Sequence, residues 1–257
     1  MNKIFNIAIV CIVLVFASCE QDGLGWKADG IGAFSVSADK QVTFSPGNLE
    51  YNENTFDWAF SENSLDGVGD DRYLEGWIDK FAWDNFVDDN FVDWGMYAIG
   101  KDAPNTWRSL EKEELEYLLL TRENADKLFG VAAVYKENSD WDCRGLILLP
   151  DNWECPNGIT FVPGVLDRGS LGSEGYHHHQ MLTIEEWGKM EKKGAVFLRT
   201  NTFDSDGWVD GTYSGYYFLA ALGEYKEQYF LYFDHETMPE IIKGYGESGA
   251  VRLVKDL

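Results

Sequence analysis

Three apolar runs near the carboxy terminus dictate what the core must contain: Gly215-Tyr216-Tyr217-Phe218, Tyr229-Phe230-Leu231-Tyr232-Phe233 and Gly249-Ala250-Val251-Arg252-Leu253-Val254. Short, near-continuous apolar runs rich in aromatic and β-branched residues form strands covered on both faces, because a strand wet on one side would alternate with polar residues. The pattern therefore predicts three strands separated by two loops, Gly223-Glu224-Tyr225-Lys226-Glu227 and the segment from His235 to Glu247. Loops on such a scaffold are where binding residues concentrate. Hydrophobic residues make up 45% of the chain and aromatics 15%, enough for a packed core and against wholesale disorder. Its 257 residues admit one large domain or two small ones. A formal charge of −23 repels phosphate backbones and anionic lipid heads over a Debye length of about 8 Å, which argues against nucleic acid as a partner. The acidity otherwise reads as surface solubility.

The amino terminus is an address. Met1-Asn2-Lys3 supplies a positive start, Ile7 to Ala17 is apolar but too short to span a bilayer, and small residues Ala17 and Ser18 precede Cys19, the layout of a cleaved secretory signal. Val15-Phe16-Ala17-Ser18-Cys19 also resembles the lipobox of bacterial lipoproteins, which implies lipidation at Cys19. Glu20 and Asp22 resemble the surface-export signal of Bacteroidetes lipoproteins. The expected organisation is a signal peptide over 1–18, lipidated Cys19 with a glycine-rich tether to residue 32, and a single domain over 33–257. Membrane contact is then through the lipid anchor only. In an oxidising compartment Cys143 and Cys155 are permitted to pair, and a disulfide is favoured over two free buried thiols. Neither is read as catalytic, because Arg144 is the sole adjacent base to lower a thiol pKa.

Along the domain, Ala33–Ser37 and Gln41–Ser45 alternate around Ala38-Asp39-Lys40 as a hairpin. The region Tyr51–Trp94 is dense in Trp, Phe, Asp and Asn without a sustained period, as in Phe56-Asp57-Trp58 and Gly76-Trp77-Ile78-Asp79. It reads as irregular loops pinned by large side chains, with a carbohydrate-binding aromatic platform as the functional alternative. A helix is expected from Ser109 to about Thr121, with Leu115, Leu118 and Leu119 inward and Glu111, Glu113 and Glu114 in its first turn. A second begins at Thr183-Ile184-Glu185-Glu186, a capping box, and stops at Gly194. Strands are expected at Gly130–Tyr135, Arg144–Pro150 and Ala195–Arg199.

The segments Trp107-Arg108-Ser109-Leu110-Glu111-Lys112-Glu113-Glu114-Leu115, Leu146-Ile147-Leu148-Leu149-Pro150, Thr183-Ile184-Glu185-Glu186-Trp187 and the closing Gly249–Val254 run resemble, in that order, the C-type lectin-like domains of Bacteroidetes surface lipoproteins. Those domains are similar to the major paralogous domain of Fibrobacter succinogenes and to formylglycine-generating enzymes. Asp93-Trp94-Gly95 and the Phe34–Phe44 hairpin match as well. The resemblance implies an α+β, C-type lectin-like fold: two helices flanking small antiparallel sheets, paired amino- and carboxy-terminal strands, and long irregular loops that carry ligands. Formylglycine generation is rejected, because no cysteine follows Cys155 and the characteristic Arg-Gly-Gly-Ser-Trp type segment is missing. Gly-x-Ser-x-Gly, phosphate-loop and His-Glu-x-x-His motifs are also missing, so no catalysis is expected.

Asp204, Asp206 and Asp210 around Gly207 are the calcium candidates, although the spacing lacks the full EF-hand series. His177-His178-His179 is read as a solvent-exposed loop before zinc, and Asp66, Asp70 and Asp71 as a solvated turn. No cofactor is expected. Trp208, Tyr213, Tyr216, Tyr225 and Tyr229 are the candidate ligand contacts, in the segment that carries variable contacts in related domains diversified by retroelements. Tyr216 and Tyr229 are equally readable as core. The expected function is that of an outer-membrane, cell-surface lipoprotein binding a glycan or a surface protein. A structural subunit of a surface assembly is the second class, and an enzyme with an unrecognised site the third.

Overall fold

A computed structural model describes residues 32–257 apart from 69, 89, 138–141, 165–179, 202–213, 222–226, 235–237 and 245–247. The expected hairpin is present as β1 (Phe34–Ser35) and β2 (Gln41–Phe44), with Phe34, Val42 and Phe44 buried and Gln41 exposed. The last strand, β15 (Val254–Asp256), pairs antiparallel with β2 and sets Val254 opposite Phe44, so the two ends of the domain close on each other.

Charge locks that closure. The Arg108 guanidinium donates to both Glu114 oxygens (2.6 and 2.8 Å) and to Asp256 (2.7 Å), while Lys40 Nζ sits 2.9 Å from Glu114. Glu114 belongs to helix α3 (Lys112–Glu116), and it also accepts from the Glu111 backbone N–H as half of a capping box. The helix starts after the expected Ser109 because that backbone is committed elsewhere. Ser109 N–H donates to Asp93, and the Leu110 carbonyl accepts from Ala220. Beyond Glu116 a π-helical turn, Tyr117–Thr121, keeps Leu118 and Leu119 inward with Leu115.

Burial raises the Glu114 carboxyl, but the hydrogen bonds from Arg108, Lys40 and the Glu111 backbone outweigh it and hold it below its ordinary value near 4.5. Its stabilising contribution is therefore present above the unfolded pKa and lost as pH falls through the lower folded one. Glu114→Gln is expected to cost about 1–2 kcal/mol at neutral pH, discounted from a fully buried pair because Arg108 and Asp256 are partly solvated. Thermal unfolding from pH 7 to pH 3 checks this: the gap between the two proteins should narrow in acid.

The central sheet has the order β10-β8-β7-β9, from β7 (Phe129–Tyr135), β8 (Asp142–Leu148), β9 (Gln180–Thr183) and β10 (Val196–Arg199). Three of these strands fall where the sequence placed them. β7 and β8 are antiparallel, β7 and β9 parallel. Helix α4 (Ile184–Lys192) follows β9 directly, with Thr183 and Glu186 each satisfying the other's backbone N–H, and Gly194 at φ +91° supplies the stop. Its Trp187 packs on Phe197 of β10 at 5.3 Å between ring centres. Cys143 lies buried in β8 with its thiol 3.8 Å from the Leu65 carbonyl, whereas Cys155 is exposed and faces the Ile159 carbonyl at 3.3 Å. The expected disulfide is therefore not formed. One thiol faces into the core beneath α4, and the chain has reached the surface before the other.

The carboxy-terminal sheet corrects a second expectation. β11 (Ser214–Phe218) and β12 (Tyr229–Asp234) form where strands were expected and pair antiparallel, but the third strand is β13 (Glu240–Lys243), inside the segment read as a loop. The Gly249–Val254 run is instead divided among several partners, Phe44 of β2 and Arg108 at Val254 among them. β14 (Ser248–Gly249) pairs with β6 (Phe81–Ala82), Ala250 bridges Tyr217 in parallel, and Val251 and Leu253 carbonyls accept from Leu49 and Ser45. Its apolar character reports that it is threaded between sheets, not that it continues one. β11 and β12 are covered on both faces: Tyr217, Leu231 and Phe233 join the core shared with α3, and Phe218 and Phe230 join an aromatic core on the other side. The molecule is α+β, built of small, mostly antiparallel sheets and few helices.

Candidate functional site

The aromatic core on that second side opens to solvent. The region expected to be irregular contains a small antiparallel sheet of order β4-β3-β5, from β3 (Leu49–Asn52), β4 (Trp58–Phe60) and β5 (Trp77–Ile78). Register brings its aromatics together: Tyr51 faces Trp58 across one strand pair and Ile78 across the other, and Asn52 faces Trp77. Sequence spacing would not have grouped them. Trp58 is the hub, stacked on Tyr97 (4.6 Å, 10° between planes), beside Tyr51 at 4.6 Å, and backed by Phe81 at 5.7 Å and Trp94 at 6.5 Å. Trp94 is held by the turn it starts, where the Asp93 carboxylate accepts from Gly95 N–H at 2.8 Å.

Over this hub lies an open cleft of about 850 Å³, lined by the rings of Tyr51, Phe56, Trp58, Trp77, Phe86 and Tyr97. Asp57 and Asn85 bring polar groups to it. The volume falls within the range of about 300–1,000 Å³ usual for small-ligand sites, and an aromatic lining with a few polar groups is their usual chemistry. Burial, then the Asp88 carboxylate and the Tyr51 phenol, push the Tyr97 hydroxyl above its ordinary value, so it stays protonated and able to donate. Trp77 is held by Arg72 of helix α1 (Asp70–Leu74), whose guanidinium lies 4.8 Å from its ring centre and pairs at 2.7 Å with Glu50, a carboxylate with no exposed surface. Burial pushes Glu50 upward against the pull of Arg72.

Phe56 stands apart from the other lining residues. It closes the β3–β4 hairpin in the left-handed region, φ +63°, with 72% of its surface exposed. The loop is tightly tied: Asn52 Oδ1 accepts from Asn54 and Thr55, the Phe56 N–H donates to the Asn52 carbonyl at 2.7 Å, and Glu53 and Asn54 bond to Gly76 and Glu75. A bulky residue in this conformation costs on the order of 1–3 kcal/mol, and the surrounding hydrogen bonds hold it there.

Of the residues singled out from sequence, Cys19, Trp208, Tyr213, Tyr225, Asp204, Asp206, Asp210 and His177–His179 lie outside the described residues. Tyr216 and Tyr229 are both half-buried and lie on opposite faces of their sheet. Tyr216 packs against Tyr232 and Phe230, while Tyr229 lies under Lys112 of α3. They form no common surface, because successive strand positions point to opposite sides. Asp66 accepts from Asn63 within a turn, and among the described residues no group of three His, Cys, Asp or Glu is placed to hold a metal. Tyr97 and Asn85 were missed from sequence. The nearest signal for Tyr97 was Asp93-Trp94-Gly95 just before it.

No protein-family model, curated protein or solved structure matches the chain. What the geometry defines is an α+β domain carrying a rigidly backed, aromatic-lined open cleft.

Proposed function

We propose that this chain is a lipid-anchored, cell-surface binding domain of C-type lectin-like type that engages a glycan or protein ligand without catalysing a reaction. The observation that carries the reading is the cleft: a preformed concave surface, aromatic-floored and polar-edged, set on strands that do not need to move to expose it. The lectin-like assignment draws support from the pairing of β2 with β15 and from two helices in the expected order. Cys19 supplies the anchor and the outer membrane the location, on the pattern of residues 1–22.

The test is to screen the soluble domain lacking residues 1–19 against glycan and surface-protein arrays, where retention of at least one ligand is expected and silence on both would overturn the reading. The anchor is tested separately. Cys19→Ala is expected to move the protein from the membrane fraction to the soluble fraction, and continued membrane retention would remove the lipid claim.

A further inference from the structure

We propose that the cleft above Trp58 is a saccharide subsite that takes a neutral pyranose unit, with the exposed Phe56 ring at its rim packing against the sugar. The proposal rests on the binding reading above and narrows it to one chemistry.

A pyranose has an apolar C–H face and hydroxyls around its rim. The face packs on an aromatic ring, whose negative π-surface meets the slightly positive C–H groups, while the rim needs donors and acceptors beside the ring. The cleft offers that combination: aromatic residues Trp58, Trp77 and Tyr97 line it together with the polar residues Asn85 and Asp57. Charge selects against acidic sugars. Asp57 lies in the lining, Asp84 and Asp88 stand on and just after the neighbouring helix α2 (Trp83–Phe86), and the whole chain carries −23.

An extended peptide fits less well. A peptide adding to this small sheet needs a free strand edge, and on β4 the Trp58 carbonyl already accepts from Gly100 N–H at 2.8 Å. On the other side β5 is two residues long.

Phe56 supplies an independent observation. Its left-handed backbone is a position glycine fills without strain, and its exposed ring is largely unburied by the domain itself. A side chain that destabilises its own loop, at the rim of an aromatic cleft, has its use in what it covers there.

The experiment uses the full chain in a non-glycosidic detergent, titrated with neutral hexasaccharides of glucose, mannose and N-acetylglucosamine and with a hexasaccharide of galacturonic acid. Binding is read by calorimetry and tryptophan fluorescence. At least one neutral sugar is expected to bind and to perturb the fluorescence, with the uronic acid weaker. Phe56→Gly is expected to weaken that binding about tenfold, about 1.4 kcal/mol, while raising the melting temperature by about 2–4 °C. A purely structural Phe56 would lower the melting temperature instead. Trp77→Ala is expected to weaken binding as well. A neutral sugar whose affinity both variants leave unchanged overturns the subsite but leaves the binding domain standing. Tighter uronic-acid binding overturns the preference for a neutral unit, and a surface protein bound with no sugar bound overturns the saccharide chemistry, each leaving the binding domain standing. Silence toward sugars and surface proteins together removes both readings.

Discussion

Arg122→Ala is expected to destabilise the domain by about 3–5 kcal/mol, one of the two largest losses of any single substitution considered. The Arg122 side chain is 1% exposed, and its guanidinium works in three directions. Nε donates to the Leu118 carbonyl at 2.8 Å, closing the π-helical turn; Nη1 pairs with Asp151 at 3.0 Å; Nη2 reaches the Leu128 carbonyl at 3.3 Å, next to the start of β7. Asp151 in turn accepts from the Ser35 N–H and hydroxyl and from Gln41, so one guanidinium fastens the amino-terminal hairpin to the helix and the central sheet. Burial raises the Asp151 carboxyl, and these donors together pull it below its ordinary value. Removing Arg122 leaves a partly buried carboxylate without its counter-charge and a helix end without its donor. Arg122→Lys keeps the charge but not the planar fork, so it should recover only part of the loss. Urea unfolding of the three proteins decides the matter. A loss under about 1 kcal/mol for Arg122→Ala would show that the pair contributes no more than an exposed one.

Arg122 also shows which parts of the structure were legible in the sequence. Local devices were. The Thr183–Glu186 capping box, the Gly194 stop and the Phe34–Phe44 hairpin each involve groups a few residues apart, and each formed as expected. Strand positions in β7, β8 and β10 followed from apolar runs that had to be buried. What such runs do not encode is the partner. Gly249–Val254 has the composition of a sheet's central strand, yet its backbone is divided among several partners, while the charged-ended Glu240-Ile241-Ile242-Lys243 takes the place of the expected third strand, at the sheet's edge. The candidate site was legible only as a stretch: the aromatic density of Tyr51–Trp94 pointed to a platform as the alternative to pinned loops, but not to which rings meet. Tyr51, Trp58, Trp77 and Tyr97 have no common period, and strand register and ring stacking, not spacing, bring them to one cleft. Phe56 looked like one more aromatic in a dense stretch. Only its backbone angle and exposure distinguish it.

The other large effect falls behind the cleft. Trp94 is 1% exposed and touches Phe81, Phe86, Phe91 and Phe218 at 5.0 to 5.8 Å, with the Trp58 hub at 6.5 Å. It therefore joins the cleft wall to β11 of the carboxy-terminal sheet. Trp94→Ala is expected to cost about 3–5 kcal/mol, since it removes a buried indole and leaves a cavity the surrounding rings fill only in part. Trp58 and Phe86 then lose their backing, and a cleft preformed in the wild type becomes one the ligand must order at its own cost. Binding should weaken even at temperatures where the variant remains folded. Trp94→Phe separates the two effects. Among the described residues the Trp94 indole N–H has no acceptor, so phenylalanine gives up volume but also an unsatisfied buried donor, and a cost of about 1–2 kcal/mol is expected. If the cleft depends on a ring at this position and not on the indole, Trp94→Phe should bind nearly as the wild type does while Trp94→Ala does not. Equal binding by all three, measured below their melting temperatures, would mean that the cleft wall holds its shape without support from beneath.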